Sequence, residues 1–180
     1  MRFTPKTFLL IVLATVVAGL SGCGKAQPTV AGLSPSEKAE DAARANGFTP
    51  VDLDAFIEQE RAAVQELDGK KVIRMAVPVS FEARLKRHPE QKELSYIYTA
   101  LGMSGISPLP EVEHRMFVES AEGQIIPVYV EKQAAAKITK ELPEETSARF
   151  LGYHAYSYDK GPAILVVDCI PLTGAGKDER

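Results

Sequence analysis

The spacing of apolar residues changes near residue 70, from a helical period to a strand-like one. Between residues 34 and 68, apolar side chains recur every three or four positions, as on one face of a helix. From Lys70 to about residue 80 they alternate with polar side chains, as in a strand with one buried face. The pattern predicts a helical segment at residues 34–68 and a β domain at residues 69–171.

Two helices are expected in the helical segment. Ser34 can cap the first, with Glu37 completing a capping box, and Gly47 is suited to end it. This helix is mostly alanine and charged residues, so we expect it to bury little and to pack loosely or project as a stalk. The second helix should open at Thr49-Pro50. Its apolar stripe is interrupted by Glu60 and consists of Leu53, Phe56, Ile57, Val64 and Leu67.

Five strands are expected in the β domain. The first begins at Lys70 and contains Pro78, which lacks an amide hydrogen, so the end of this strand should lie at a sheet edge or a bulge. The other four form two hairpins, at residues 113–131 and 149–170. A short helix at residues 132–142 is expected between the hairpins.

The segment that precedes the first hairpin is ambiguous over residues 89–101. We favour a helix that starts at His88-Pro89-Glu90, while Tyr96-Ile97-Tyr98-Thr99 suits a strand equally. Residues 102–110 should form a loop because they contain two glycines and two prolines. Residues 172–180 are expected to be a flexible tail.

The first 22 residues have a pattern of their own. A short stretch with Arg2 and Lys6 comes first, an uncharged run of 13 residues follows at 8–20, and small residues come next. This order is typical of a signal peptide, whose apolar part usually has roughly 7–15 residues. The sequence therefore predicts that residues 1–22 are a cleaved signal peptide.

The residues Leu20-Ser21-Gly22-Cys23 resemble the lipobox of bacterial lipoproteins, in which an aliphatic and two small residues precede an obligatory cysteine. The resemblance implies a diacylglycerol on the Cys23 sulfur, cleavage before Cys23, and a lipidated tether at residues 23–33. Two or three acyl chains make such an anchor stable. In that family an Asp after the cysteine favours inner-membrane retention. Gly24 therefore points to the outer membrane, facing the periplasm, if the cell has two membranes.

Charge and cysteine content narrow the classes of partner. Residues 1–22 contain two basic and no acidic residues, so the remaining chain has 19 basic and 24 acidic side chains and a net charge near −5. This argues against nucleic acid and against electrostatic attachment to anionic lipid. With Cys23 lipidated, Cys169 is the one remaining thiol, and its alternation with Leu165 and Val167 predicts a buried position.

Five strands with a short helix between the third and fourth resemble the order of an OB-like barrel. The segments Leu67-Asp68-Gly69-Lys70-Lys71-Val72 and Val166-Val167-Asp168-Cys169-Ile170 are also similar to OB-fold-like envelope proteins of unknown function. The resemblance spans residues 67–171. It implies an α+β fold in which N-terminal helices precede a five-stranded antiparallel OB-like barrel or curled sheet.

Three aromatic residues of the fourth predicted strand form a candidate binding face. His154, Tyr156 and Tyr158 are two residues apart, so a regular strand would place them on one side, which we expect to face outward. In OB-like folds such a face can stack sugars or bases. The alternative is that these aromatics only pair across strands.

No catalytic residue, metal site or cofactor is predicted. The histidines His88, His114 and His154 are not at ligand spacing, and the chain has no serine-nucleophile, phosphate-loop or dinucleotide motif. A basic run at residues 84–92 is either a partner site or a solvated face. The sequence favours an envelope lipoprotein with a non-catalytic binding or adaptor domain for a protein or small ligand. The alternatives are an enzyme acting on cell-envelope material and a structural periplasmic spacer.

Overall fold

The computed structural model describes residues 33–172, and within these no helix is both long and apolar enough to cross a membrane. The predicted signal peptide, Cys23, the tether up to residue 32 and the tail from residue 173 lie outside the described residues. In chain order the elements are α1 (Pro35–Ala45), β1 (Thr49–Pro50), α2 (Leu53–Gln65), β2 (Val72–Gln91), α3 (Ser95–Met103), β3 (Val112–Glu119), β4 (Ile125–Glu131), α4 (Lys132–Glu141), β5 (Ser147–Tyr158) and β6 (Gly161–Pro171).

The strands form one mixed sheet that curls into a ring. β2 pairs antiparallel with β3 and with β5, β3 with β4, and β5 with β6, while β4 and β6 are parallel. Pairing therefore runs from β2 through β3, β4, β6 and β5 back to β2. The predicted α+β class, both hairpins and the helix between them are confirmed. The predicted five-stranded antiparallel arrangement is matched only in part, because β1 is a sixth strand and the β1–β2 and β4–β6 pairings are parallel.

The additional strand, β1, comes from a segment that was predicted to start a helix. Thr49 and Pro50 pair with Val79 and Ser80 of β2. The second helix begins after them, because the Asp52 side chain accepts a hydrogen bond from a backbone amide of the first turn and caps it. A strand of only two residues is too short to show an alternating pattern, so the sequence could not distinguish a strand from a helix start here.

α1 begins and ends as expected but does not project as a stalk. The Ser34–Glu37 capping box is present, and Gly47 has a φ of 81°. Ala39 and Ala43 are buried, and α1 packs against β1 and β5. Small side chains on one face let the helix backbone approach the sheet closely, so a weakly apolar helix still docks.

β2 is much longer than the alternation predicted. It continues to Gln91, because its second half pairs with β3. Pro89, which suggested a helix start, lies in a register irregularity between Arg87 and Glu90, where a residue without an amide hydrogen is tolerated. The favoured helix is present but begins only at Ser95. The strand does not end near Pro78 as predicted: this proline lies in regular pairing with β5, just after an irregularity between Ile73 and Val77.

Two clusters of buried residues form the core. The larger draws on all five ring strands together with α2 and α4, and its bulkiest members include Phe81, Phe150, Met116 and Ile138. Cys169 belongs to it and is buried, as predicted. The smaller lies around α3 and includes Tyr156. The two clusters share strand β5, so this strand is covered on both faces.

Candidate functional site

An irregularity in β5 separates the three residues of the predicted binding face. His154 pairs with Ile164 and Tyr156 with Ala163, so Ala155 is an extra residue of the kind that forms a β-bulge. Such a residue reverses the alternation of side chains beyond it. His154 and Ser157 therefore meet, with 3.0 Å between Nε2 and Oγ. The structure brings Tyr156 and Tyr158 together but places His154 elsewhere.

The expectation that these aromatics face outward is wrong for two of the three. His154 is 6% and Tyr156 4% exposed, while Tyr158 is half-buried. On one side Phe56 of α2 meets the His154 ring edge-on, with centroids 5.1 Å apart. On the other, Tyr96 of α3 meets the Tyr156 ring at 5.0 Å. The alternation within one strand cannot reveal that helices cover both of its faces.

Tyr156 and Tyr158 line a cleft of about 280 Å³, which we call the tyrosine cleft. Its walls come from the entry to β2, the segment after β2, strands β3, β4 and β5, and the turn between β5 and β6. Four cationic and three tyrosine side chains line it: Lys71, Lys92, Arg115, Lys160, Tyr129, Tyr156 and Tyr158. Three of these seven residues were named from the sequence: Tyr156 and Tyr158 in the binding face and Lys92 in the basic run. The other four come from segments that only the ring brings together.

The tyrosine hydroxyls of the cleft are hydrogen-bonding groups. The hydroxyl oxygens of Tyr129 and Tyr156 are 2.6 Å apart. Burial, reinforced by this hydrogen bond, raises the pKa of Tyr156 far above its usual range, and burial raises the pKa of Tyr158 to about 12. Both phenols therefore keep their protons at neutral pH and can donate to an acceptor.

Positive charge in the cleft is only partly neutralised. Arg115 bonds to Glu90 at 2.8 Å. Among residues 33–172, Lys71, Lys92 and Lys160 have no carboxylate within 4.0 Å. Lys71 instead lies 3.7 Å from the centre of the Tyr96 ring, a cation–π contact that leaves its charge available. A chain that is acidic as a whole thus has a concave site that is locally basic.

A second polar cluster lies beneath α2 and contains Glu60, to which the sequence pattern assigned no role. This residue interrupts the apolar stripe, yet its side chain is only 2% exposed. It accepts a hydrogen bond from Ser157 Oγ and lies 3.9 Å from His154 Nε2. Arg74 approaches its other oxygen at 3.7 Å. A carboxylate in the middle of an otherwise apolar helix face was the signal that could have revealed this cluster.

The cluster contains a serine, a histidine and a carboxylate, but its geometry differs from that of a nucleophilic triad. In a triad the histidine takes the serine proton and the carboxylate orients the histidine. Here Ser157 donates to Glu60 directly and is fully buried. Burial lowers the pKa of His154, against the opposing influence of Glu60. The arrangement joins α2 to β5 rather than presenting a nucleophile to a substrate.

Several charged groups outside the cleft form ion pairs. Arg84 and Lys86 of the basic run are matched by Glu119 and Glu145. Outside the cleft, the buried Arg149 guanidinium bonds to Glu40 and Glu82. Between residues 33 and 172, no three His, Cys, Asp or Glu side chains are grouped to hold a metal ion.

Comparison with known proteins gives no family for this chain. No model of a known protein family matches it, and no curated protein matches it significantly. The geometry of the tyrosine cleft is therefore the main observation that bears on function.

Proposed function

We propose that this protein is a lipid-anchored binding protein of the bacterial cell envelope, and that its tyrosine cleft binds an anionic ligand without catalysing a reaction. The observation that carries the proposal is the gathering of four cationic and three tyrosine side chains in a single concave site, where Arg115 is paired with the carboxylate of Glu90. Concave sites with a few convergent polar groups are where small ligands usually bind. A positive cleft also concentrates anions near it.

The strand order supports an OB-like reading of the ring. In OB folds, the face of the second and third strands binds ligands, together with the first-to-second and fourth-to-fifth connections. Counting from β2, these elements correspond to β3, β4, the segment after β2 and the turn after β5. Arg115, Tyr129, Lys92 and Lys160 come from these four elements in that order. The cleft therefore lies where an OB-like domain would bind its ligand.

The lipid anchor is proposed from the lipobox resemblance. Its partner is the membrane, reached through the covalent lipid on Cys23, with the domain facing the periplasm if the cell has two membranes. Replacing Cys23 with serine should abolish labelling by radioactive fatty acid and stop signal-peptide cleavage. A variant that remains labelled and membrane-bound like the wild type would contradict the anchor.

The binding function can be tested through tyrosine emission. The chain has six tyrosines and no tryptophan, and Tyr96, Tyr129, Tyr156 and Tyr158 line or adjoin the cleft. We would titrate the mature protein, in neutral detergent, with small phosphates, carboxylates and uncharged analogues. Anions should change the emission and raise the melting temperature, while uncharged analogues should not.

Matched lysine variants identify where the anion binds. Lys92→Gln combined with Lys160→Gln removes two cleft charges. The control is Lys38→Gln combined with Lys140→Gln, which removes two exposed charges from α1 and α4. Anion effects should be lost in the first variant and kept in the control. If the two variants respond alike, or if no anion affects the wild type, the cleft is not an anion site.

The alternative functions have less support. A spacer role depended on a projecting α1, whereas Ala39 and Ala43 hold this helix against the sheet. Enzymatic action on envelope material would need an accessible reactive group, and Ser157 is buried and bonded to Glu60. Anionic groups occur both on free molecules and on envelope protein partners. Affinity purification from membranes with the tagged protein would recover a partner of the second kind.

A further inference from the structure

We infer that the anionic group bound by the tyrosine cleft is a phosphate monoester attached to a small organic group, rather than a carboxylate. The inference rests on the proposed function of the cleft and specifies its ligand class. It follows from the number of unneutralised charges, the kind of hydrogen-bond donors, and the size and lining of the cleft.

The charge balance favours a ligand with more than one negative charge. Four cations line the cleft, and Glu90 neutralises one of them through Arg115. A carboxylate would offset only one of the three remaining charges. A phosphate monoester carries about −1.5 to −2 at pH 7, because its second pKa is about 6. Lysine ammonium groups also act as compact point charges, which suits phosphate binding.

The donors match a group with several acceptor oxygens. Because the Tyr129 and Tyr156 hydroxyls bond to each other, one proton lies between them and the pair can donate one further hydrogen bond. Tyr158 packs beside Tyr156, with ring centroids 5.9 Å apart, and supplies a second phenol. The raised pKa values of Tyr156 and Tyr158 keep the hydroxyls of these two residues protonated. Two phenols and several ammonium groups offer donors from different directions, as three terminal phosphate oxygens require.

The lining of the cleft leaves room for a small organic part. Its volume of about 280 Å³ lies just below the roughly 300–1,000 Å³ of pockets for drug-sized ligands. Leu94, Pro127 and Val128 supply apolar walls beside the tyrosine rings. Lys92 and Leu94 also line an open depression of about 660 Å³. A ligand can therefore place its phosphate and one ring in the cleft and extend outward past these two residues.

A phosphate monoester with such an extension occurs both on soluble sugars and on lipid headgroups. The probes are therefore glucose 6-phosphate, glucuronate, glucose and inorganic phosphate, each titrated into the mature protein in neutral detergent. Dihexanoyl phosphatidic acid and dihexanoyl phosphatidylcholine, which are water-soluble, represent the lipid source. Binding is followed by calorimetry and by tyrosine emission.

Glucose 6-phosphate or dihexanoyl phosphatidic acid should bind at least about tenfold more tightly than glucuronate, and whichever binds better identifies the source. Both phosphate esters should also bind more tightly than inorganic phosphate. Lowering the pH from 7.5 to 5.5 should weaken binding of the phosphate ester about fourfold, because a second pKa near 6 reduces the dianion in that proportion. Glucuronate keeps its charge over this range and serves as the control for effects on the protein.

Single-residue variants test whether the phosphate ester binds in the tyrosine cleft. Lys160→Gln and Tyr158→Phe should each weaken ester binding about tenfold, the lower end for a hydrogen bond to a charged group. Lys140→Gln on α4 should leave it unchanged. Glucuronate binding as tightly as both esters, or inorganic phosphate binding as tightly as either, would overturn the phosphate-monoester assignment while leaving the anion site standing. If no anion binds at all, the proposed function itself is wrong.

Discussion

Glu60 is the residue whose replacement tests most directly how α2 is held on the sheet. Its buried carboxylate accepts the Ser157 hydroxyl and faces His154 and Arg74. Replacing Glu60 with alanine removes the acceptor and leaves a fully buried hydroxyl beneath the helix. Replacing it with glutamine keeps the shape and one acceptor oxygen but removes the charge.

The expected cost follows from what each variant leaves behind. A buried donor without its partner costs about 1–3 kcal/mol. Arg74 is half exposed and can turn to water, so the penalty should stay below that of a broken buried ion pair. We therefore expect the free energy of unfolding to fall by about 2 kcal/mol in Glu60→Ala and by about 1 kcal/mol in Glu60→Gln.

Urea unfolding monitored by circular dichroism measures the difference. With a denaturant dependence of about 2 kcal/mol per molar urea, the midpoint of Glu60→Ala should fall by about 1 M. The control is Glu58→Ala in the same helix, where the side chain is 65% exposed and pairs with Arg61 at 2.9 Å. An exposed pair of this kind contributes at most about 1 kcal/mol. Equal midpoints for the two alanine variants would refute the structural role assigned to Glu60.

Three further predictions concern β5 and β6. Gly152→Ala should destabilise the protein by about 3 kcal/mol in thermal unfolding, because its Cβ would lie 2.3 Å from the backbone oxygen of Leu165, whereas Gly102→Ala meets no atom within 4 Å and should be tolerated. Cys169 should react slowly with thiol reagents until the protein is denatured, because burial raises its pKa to about 11, and rapid labelling of the native state would contradict this. Burial lowers the pKa of His154 below 6.5, so the unfolded chain binds the proton more tightly and stability should fall as the pH decreases through 6.5 toward the folded-state pKa. His154→Gln should flatten that dependence of the urea midpoint on pH.

Local signals in the sequence were sufficient for most of the elements. The Ser34–Glu37 capping box, the left-handed Gly47 and both hairpins depend on residues close in the chain, and all are present. The length of β2 depends on pairing with β3, which is distant in sequence. The two parallel contacts each involve only two residue pairs, so they leave no periodic pattern in the sequence from which they could be predicted.

The candidate site was predictable only in part, for the same reason. Tyr156 and Tyr158 were visible as aromatics two residues apart, but a single extra residue, Ala155, sends His154 to a different cluster. The lysines of the cleft come from segments far apart in sequence. They come close together only because the ring closes, so the composition of each segment alone could not predict this.

The order in which the ring strands leave the ribosome has a consequence for how this domain folds. β6 is the last strand of residues 33–172 and closes the ring by pairing with both β4 and β5. A nascent chain that stops short of residue 161 therefore exposes two unpaired strand edges, which are prone to aggregate. Contacts between such distant segments also slow folding, because a long loop must close first. Until residue 171 has emerged, the domain should depend on factors that shield unfolded chains.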